Sequence, residues 1–195
     1  HKEYRRQRQM CIRDRLYPDA VFTGTAALAA YGLCEVRLPA TIRVDNNCRA
    51  RADGLVRTVR SRPVPVNRVK GVKMALPAQA VADALSFERC GEWLLKEALA
   101  QAYRGLNGRG RFAADLELVT SKKRDAVREL AEMAPVGTAS KWEQRIFREM
   151  RRVGLNPVPN YRLGPYTWDL GFEAGTTVVD LDSLYYHTPE NNHRE

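Results

Sequence analysis

The chain has 195 residues, 44% of them hydrophobic, and 32 Lys and Arg against 23 Asp and Glu give a formal net charge of +9. That is enough apolar material for a buried core in one or two small domains, and no run of about 18 apolar residues is present to span a membrane. The basic N-terminus lacks the apolar stretch of a secretory leader. The four cysteines (Cys11, Cys34, Cys48, Cys90) form no C-x-x-C pair, so free thiols in a cytoplasmic protein are expected rather than a zinc site or a disulfide framework.

Residues 1 to about 15 are expected to stand outside the fold. Arg5–Asp14, RRQRQMCIRD, resembles the translated end of a transposon-based sequencing adapter, and its four arginines against one aspartate account for +3 of the net charge. From Leu16 the sequence turns globular. TGTAALAAYGL, Thr23–Leu33, predicts a short helix with Thr23 as N-cap and Gly32 as stop. Alternation then predicts strands over Ala40–Asp45 and Leu55–Arg62, with a third through Val69–Met74, forming a small antiparallel sheet.

This sheet region is strongly basic. Residues 49–73 hold Arg49, Arg51, Arg57, Arg60, Arg62, Arg68, Lys70 and Lys73 against a single acid, Asp53. Two readings stand: a solvated face, or a surface that contacts phosphates and releases counterions from double-stranded DNA. No aromatic residue interleaves with the arginines, which disfavours a stacking platform for single strands.

Leu76–Leu85 predicts a helix with Pro77 in its first turn, and Glu88–Tyr103 a second, with Leu95, Leu99 and Ala102 on a buried face widened by Trp93 and Leu94. Gly105–Arg111 reads as a breaker, followed by helices over Phe112–Val119 and Lys123–Met133; Ser121–Arg124 serves equally as a phosphate contact or an ordinary charged turn. Met133–Ala139 is the best candidate boundary. Residues 16–139 carry 19 basic and 13 acidic residues, whereas residues 140–195 carry 7 and 8. The expected organisation is a basic part over residues 16–134 and an acid-bearing part over residues 138–195.

In the second part, Ser140-x-x-Glu143 fits a capping box, opening a helix with Trp142, Ile146, Met150 and Val153 on one stripe. Glu143 lies about 100° round the helix from Trp142, which leaves it open either to capping or to a cleft. Asn160–Leu163 and Tyr166–Phe172 read as a hairpin about Gly164-Pro165, with Asp169 in a buried strand. Thr176–Asp182 puts Asp180 and Asp182 on one strand face, with His187 beyond. A buried or crowded carboxylate needs a compensating cation. Hard oxygen ligands suit Mg²⁺, which neutralises phosphate charge and acidifies water, and a nearby His187 is a candidate acid or base for phosphodiester hydrolysis.

The Ser140-x-x-Glu143 opening, Gly154-Leu155, Asp169 at a strand end, and V-D-L-D-S-x-x-Y-H over residues 179–187 together resemble bacterial proteins related to very-short-patch-repair endonucleases, within the PD-(D/E)XK superfamily. The resemblance implies a restriction-endonuclease-like αβ core in which Glu143, Asp169 and Asp180 bind Mg²⁺, with Asp182 where other members place lysine, and His187 following. Asp180 stands in place of the family's glutamate and Ser183 in place of its glycine. The family continues past the equivalent of Glu195 with a basic helix and a strand, so the chain is expected to be a truncated form. The preceding 120 or so residues resemble, in the order of their elements, type IV (AbiEi-like) antitoxins that bind DNA. Together these give an α+β or α/β fold and a Mg²⁺-dependent DNA endonuclease, with a non-catalytic DNA-binding regulator of degenerate nuclease fold as the alternative. A third reading has Asp180 and Asp182 simply pairing with arginines.

Overall fold

The structure, a computed structural model, describes residues 19–47, 54–172 and 177–181. Among these are six helices and eight strands in a mixed α+β arrangement with two sheets. No helix among the described residues is long and apolar enough to cross a membrane.

The first sheet has five strands: β1 (Val21–Phe22), β2 (Ala40–Val44), β3 (Val56–Arg60), β4 (Val66–Val69) and β5 (Val72–Ala75), in the order β3-β2-β1-β5-β4. It is mixed, which corrects the antiparallel expectation. β2 pairs parallel with β3 and β1 with β5, while β1–β2 and β4–β5 are antiparallel. Alternation marks a strand without giving its direction; direction comes from the connection, and the stretch between β2 and β3 is long enough to return the chain to the same sheet end. The expected third strand is in fact the β4–β5 hairpin. It turns on Lys70 and Gly71, both at positive φ (49° and 79°), as a two-residue type I′ turn requires.

All five residues of β2 are buried, and Ile42 aligns with Phe22 of β1, which in turn aligns with Met74 of β5. Helix α1 (Gly24–Ala30) follows β1 directly. Helix α2 (Pro77–Phe87), with Pro77 in its first turn as expected, is buried without a break from Ala78 to Ala84 and forms the centre of the core. Three more helices extend that core: α3 (Glu92–Ala102), α4 (Gly108–Glu117) and α5 (Arg124–Glu132). Helix α3 begins four residues later than expected and leaves Trp93 74% exposed, so Trp93 does not widen the buried face. Helix α4 starts inside the glycine-rich stretch expected to be a breaker.

A polar network runs through this core. Asp83 of α2, fully buried, receives Arg43 of β2 through Nε and Nη2 (2.6 and 2.7 Å), Thr23 Oγ1 (2.5 Å) and Gln79 Nε2 (2.9 Å). With every oxygen lone pair engaged, the pair withstands its own desolvation. Thr23 thus spends its hydroxyl on Asp83 and gives α1 no side-chain cap. Glu88 takes that task from a distance: its carboxylate accepts Thr25 N–H (3.1 and 3.2 Å) and the Thr41 hydroxyl (2.7 Å). Its Oε1 occupies the space a Cβ would need at Gly24, whose φ is +59°, so only glycine fits there.

The second sheet is β6 (Val158–Leu163), β7 (Tyr166–Gly171) and β8 (Val178–Val179), antiparallel in that order, preceded by helix α6 (Lys141–Arg152). The stretch expected to separate two domains is buried: Ala134, Val136 and Thr138 are all under 6% exposed. Its backbone is tied to the end of α3 by Gly137 N–H to Tyr103 O and Gly105 N–H to Thr138 O. Gln101 to Gln144 and Arg148 to Glu97 add side-chain links between α3 and α6.

Candidate acidic site and the placement of the basic residues

Helix α6 opens with the expected capping box. Ser140 Oγ accepts Glu143 N–H (3.0 Å), and the Glu143 carboxylate accepts Ser140 N–H and Ala139 N–H (both 2.8 Å). Both Glu143 oxygens are therefore occupied by backbone donors. The buried face of α6 also differs from the expected stripe. Glu143, Gln144 and Phe147 are buried, whereas Trp142 and Val153 are each 67% exposed, and Trp142 lies under the Arg145 guanidinium (5.6 Å). The two stripes differ by one residue, or about 100°. The capping geometry, which turns Glu143 inward, selects between them.

Asp169 lies in β7 and Asp180 immediately after β8. Extending the register Gly171↔Val178 and Leu170↔Val179 by one position sets Asp169 opposite Asp180, and the two carboxyls lie within hydrogen-bonding reach of each other. On the other side of β7, Asn160 of β6 stands between Pro159 and Tyr161, which pair with Leu170 and Trp168 on either side of Asp169. Asn160 sits at φ +49°, and its Nδ2 donates to Gly137 O (2.7 Å). Sequence reasoning passed over Asn160; the available signal was its residue type, since asparagine tolerates the left-handed region.

Asp169 is half-buried and accepts Leu181 N–H at 2.8 Å. Its carboxyl titrates above the ordinary aspartate value: burial is the main cause, the Leu181 bond partly offsets it, and the negative charges of Glu143 and Asp180 add to it, with Asp180 also within hydrogen-bonding reach. The charges of Glu143 and Asp180 are both felt at Asp169, and none of the three acids forms an ion pair with a cation among the described residues. Asp180 is exposed. Asp182 and His187 lie outside the described residues. No group of three or more metal-ligating side chains is positioned to hold an ion among the described residues, in line with Glu143 being committed to its cap. Asp169 and Asp180 still fit Mg²⁺, which commonly takes one or two carboxylates and completes its shell with water and phosphate oxygens.

Among the described residues the basic run is divided between β3 and the β4–β5 hairpin. Arg49 and Arg51 lie outside the described residues. Arg57 and Arg60 are on β3 with Arg62 just beyond, at one sheet edge; Arg68, Lys70 and Lys73 belong to the β4–β5 hairpin at the other. Four strand spacings, roughly 19 Å, separate the edge strands. Arg57 donates to Phe87 O at the end of α2, Arg68 to Gly71 O (3.2 Å), and Lys73 pairs with Asp19 (3.0 Å). Arg60 and Arg62 are solvent-facing, without an ion pair among the described residues. No family model, curated protein or solved structure matches the chain.

Proposed function

We propose that the chain is a metal-dependent nuclease acting on double-stranded DNA, with Asp169 and Asp180 as the Mg²⁺-holding pair and α6 with β6–β8 as part of a restriction-endonuclease-like core. The observation that carries this reading is the cross-strand juxtaposition of Asp169 and Asp180 beside Glu143, without a basic partner among the described residues. Like charges opposite each other on a sheet are destabilising, so a folded chain that keeps the pair has a use for a cation there. Bound at these two oxygens, Mg²⁺ would supply charge neutralisation at a phosphate and a more acidic water. The chain's own contribution is orientation. Leu181 N–H fixes one Asp169 oxygen, and Glu143 braces the 139–140 turn beside it. Glu143 is a positioning residue in this reading and not a ligand.

One observation favours the alternative of a non-catalytic DNA-binding regulator: with Glu143 engaged, the described residues contain no set of three metal-ligating side chains. A plasmid-nicking assay separates the two. Mg²⁺-dependent cleavage that disappears with EDTA, and in D169A and D180A, supports the nuclease. Cleavage that survives both substitutions contradicts the site assignment, and DNA retention without metal-dependent cleavage supports the regulator.

A further inference from the structure

A concave surface away from the basic strands is lined by another set of arginines. A groove of about 480 Å³ runs between the start of α4 and β6, and its walls carry Asn107, Arg109, Arg111, Asn160, Tyr161 and Arg162. It contains three arginines and no acid. A larger cleft of about 1000 Å³ adjoins it, sharing Arg109 and Val158, and adds Arg128 and Arg151 against one acid, Glu132. Arg109 and Arg162 are exposed and have no ion pair among the described residues. Arg111 is held by its bond to Arg104 O (2.9 Å), with its guanidinium over the Tyr103 ring (6.0 Å).

The groove reaches toward the acid pair through Asn160. Asn160 lines the groove, donates to Gly137 O, and stands in β6 between Pro159 and Tyr161, the partners of Leu170 and Trp168 on either side of Asp169. The turn that begins at Gly137 ends in the Glu143 capping box. Adjacent strands are about 4.8 Å apart, so β6 lies about 5 Å from β7, which carries Asp169, and about 10 Å from β8, which Asp180 follows. At about 3.4 Å per nucleotide, that is a span of roughly three nucleotides.

We propose that this arginine groove is the track for the sugar-phosphate backbone of the DNA strand that passes over Asp169 and Asp180. Guanidinium forks match phosphate oxygens in a bidentate manner. The absence of acids in the groove, set against the acids one strand away, orders the surface into a phosphate-holding part and a metal-holding part. This inference rests on the reading of the chain as a protein that acts on DNA.

The test is fluorescence-anisotropy binding of a 20-base-pair duplex to the full chain, in EDTA, over a salt series. The proteins compared are the wild type, R109A/R162A and R60A/R62A, each checked for an unchanged melting temperature. Expected is a loss of roughly tenfold or more for R109A/R162A, with the slope of log affinity against log salt reduced by about two, one for each phosphate contact removed. R60A/R62A should change both less. Wild-type binding that R109A/R162A leaves intact overturns the groove but not the nuclease. A wild type that does not bind the duplex overturns both. Poly-glutamate competing as well as unlabelled duplex overturns the choice of a phosphate backbone as the occupant.

Discussion

Replacing Asp180 by asparagine removes one of two carboxylates that face each other across β7 and β8 while keeping the size of the side chain. Two of the influences that raise the Asp169 carboxyl come from Asp180, its charge and its hydrogen-bonding reach; burial and Glu143 remain. Because the folded value of Asp169 lies above its ordinary 3.8, the native chain binds more protons than the unfolded chain between those two values. Stability from this group is therefore fully present below the ordinary value and is lost as pH rises through the folded one. At neutral pH the wild type carries the repulsion in full, and D180N relieves it. Cross-strand charge pairs are worth about 0.2–1 kcal/mol, so D180N should be more stable by that amount at pH 7.5, a rise in melting temperature of up to about 4 °C for a chain of this size. The gain should fade as pH falls through the raised Asp169 value, where protonation of Asp169 removes the repulsion in the wild type. Thermal unfolding followed by circular dichroism from pH 3.5 to 8, with the Asp169 carboxyl titrated by carbon NMR, measures both quantities. A D180N that is less stable than wild type at pH 7.5, or an Asp169 midpoint that does not move downward, refutes the cross-strand assignment.

Glu143 and Asp83 give sharper contrasts. E143A removes the acceptor for two backbone donors and should lower stability by about 1 kcal/mol, in the range of a lost helix cap. E143Q keeps one acceptor oxygen, so it should retain most of the stability and, if Glu143 only positions the turn, should also retain Mg²⁺-dependent nicking; loss of nicking in a stable E143Q makes Glu143 a ligand after all. D83A strands Arg43 in the core without its bidentate partner and should cost about 3–5 kcal/mol in urea unfolding. A cost under about 1 kcal/mol means that water or Thr120 replaces the partnership.

Most helices and strands were legible from periodicity, and the capping box at Ser140–Glu143 was legible to the atom because its chemistry is local. What periodicity could not supply was partnership between distant segments. Thr23 reads as an N-cap until Asp83, sixty residues away, claims its hydroxyl, and nothing near Thr23 announces that Glu88 will cap α1 instead. Strand direction was lost for the same reason, since β2 and β3 have the same alternation whichever way they run. The acids Asp169 and Asp180 were visible as strand carboxylates, but their proximity is a matter of register between β7 and β8. The basic run from Arg49 to Lys73 is contiguous in sequence, and its described part is divided by the order β3-β2-β1-β5-β4 between β3 and the β4–β5 hairpin. Conversely, Arg109, Arg111 and Arg162 are scattered along the chain and meet only because the end of α3 is tied to the turn before α6.

The central claim, that Asp169 and Asp180 together hold a divalent cation, is tested most directly with Mn²⁺ as a paramagnetic stand-in of similar oxygen-ligand preference. Titrated at substoichiometric amounts into isotope-labelled protein, Mn²⁺ should selectively broaden the resonances of Asp169, Asp180 and Leu181, excess Mg²⁺ should restore them, and D180A should abolish the effect. Uniform broadening of surface acids that spares these three residues, or an unchanged pattern in D180A, contradicts the account.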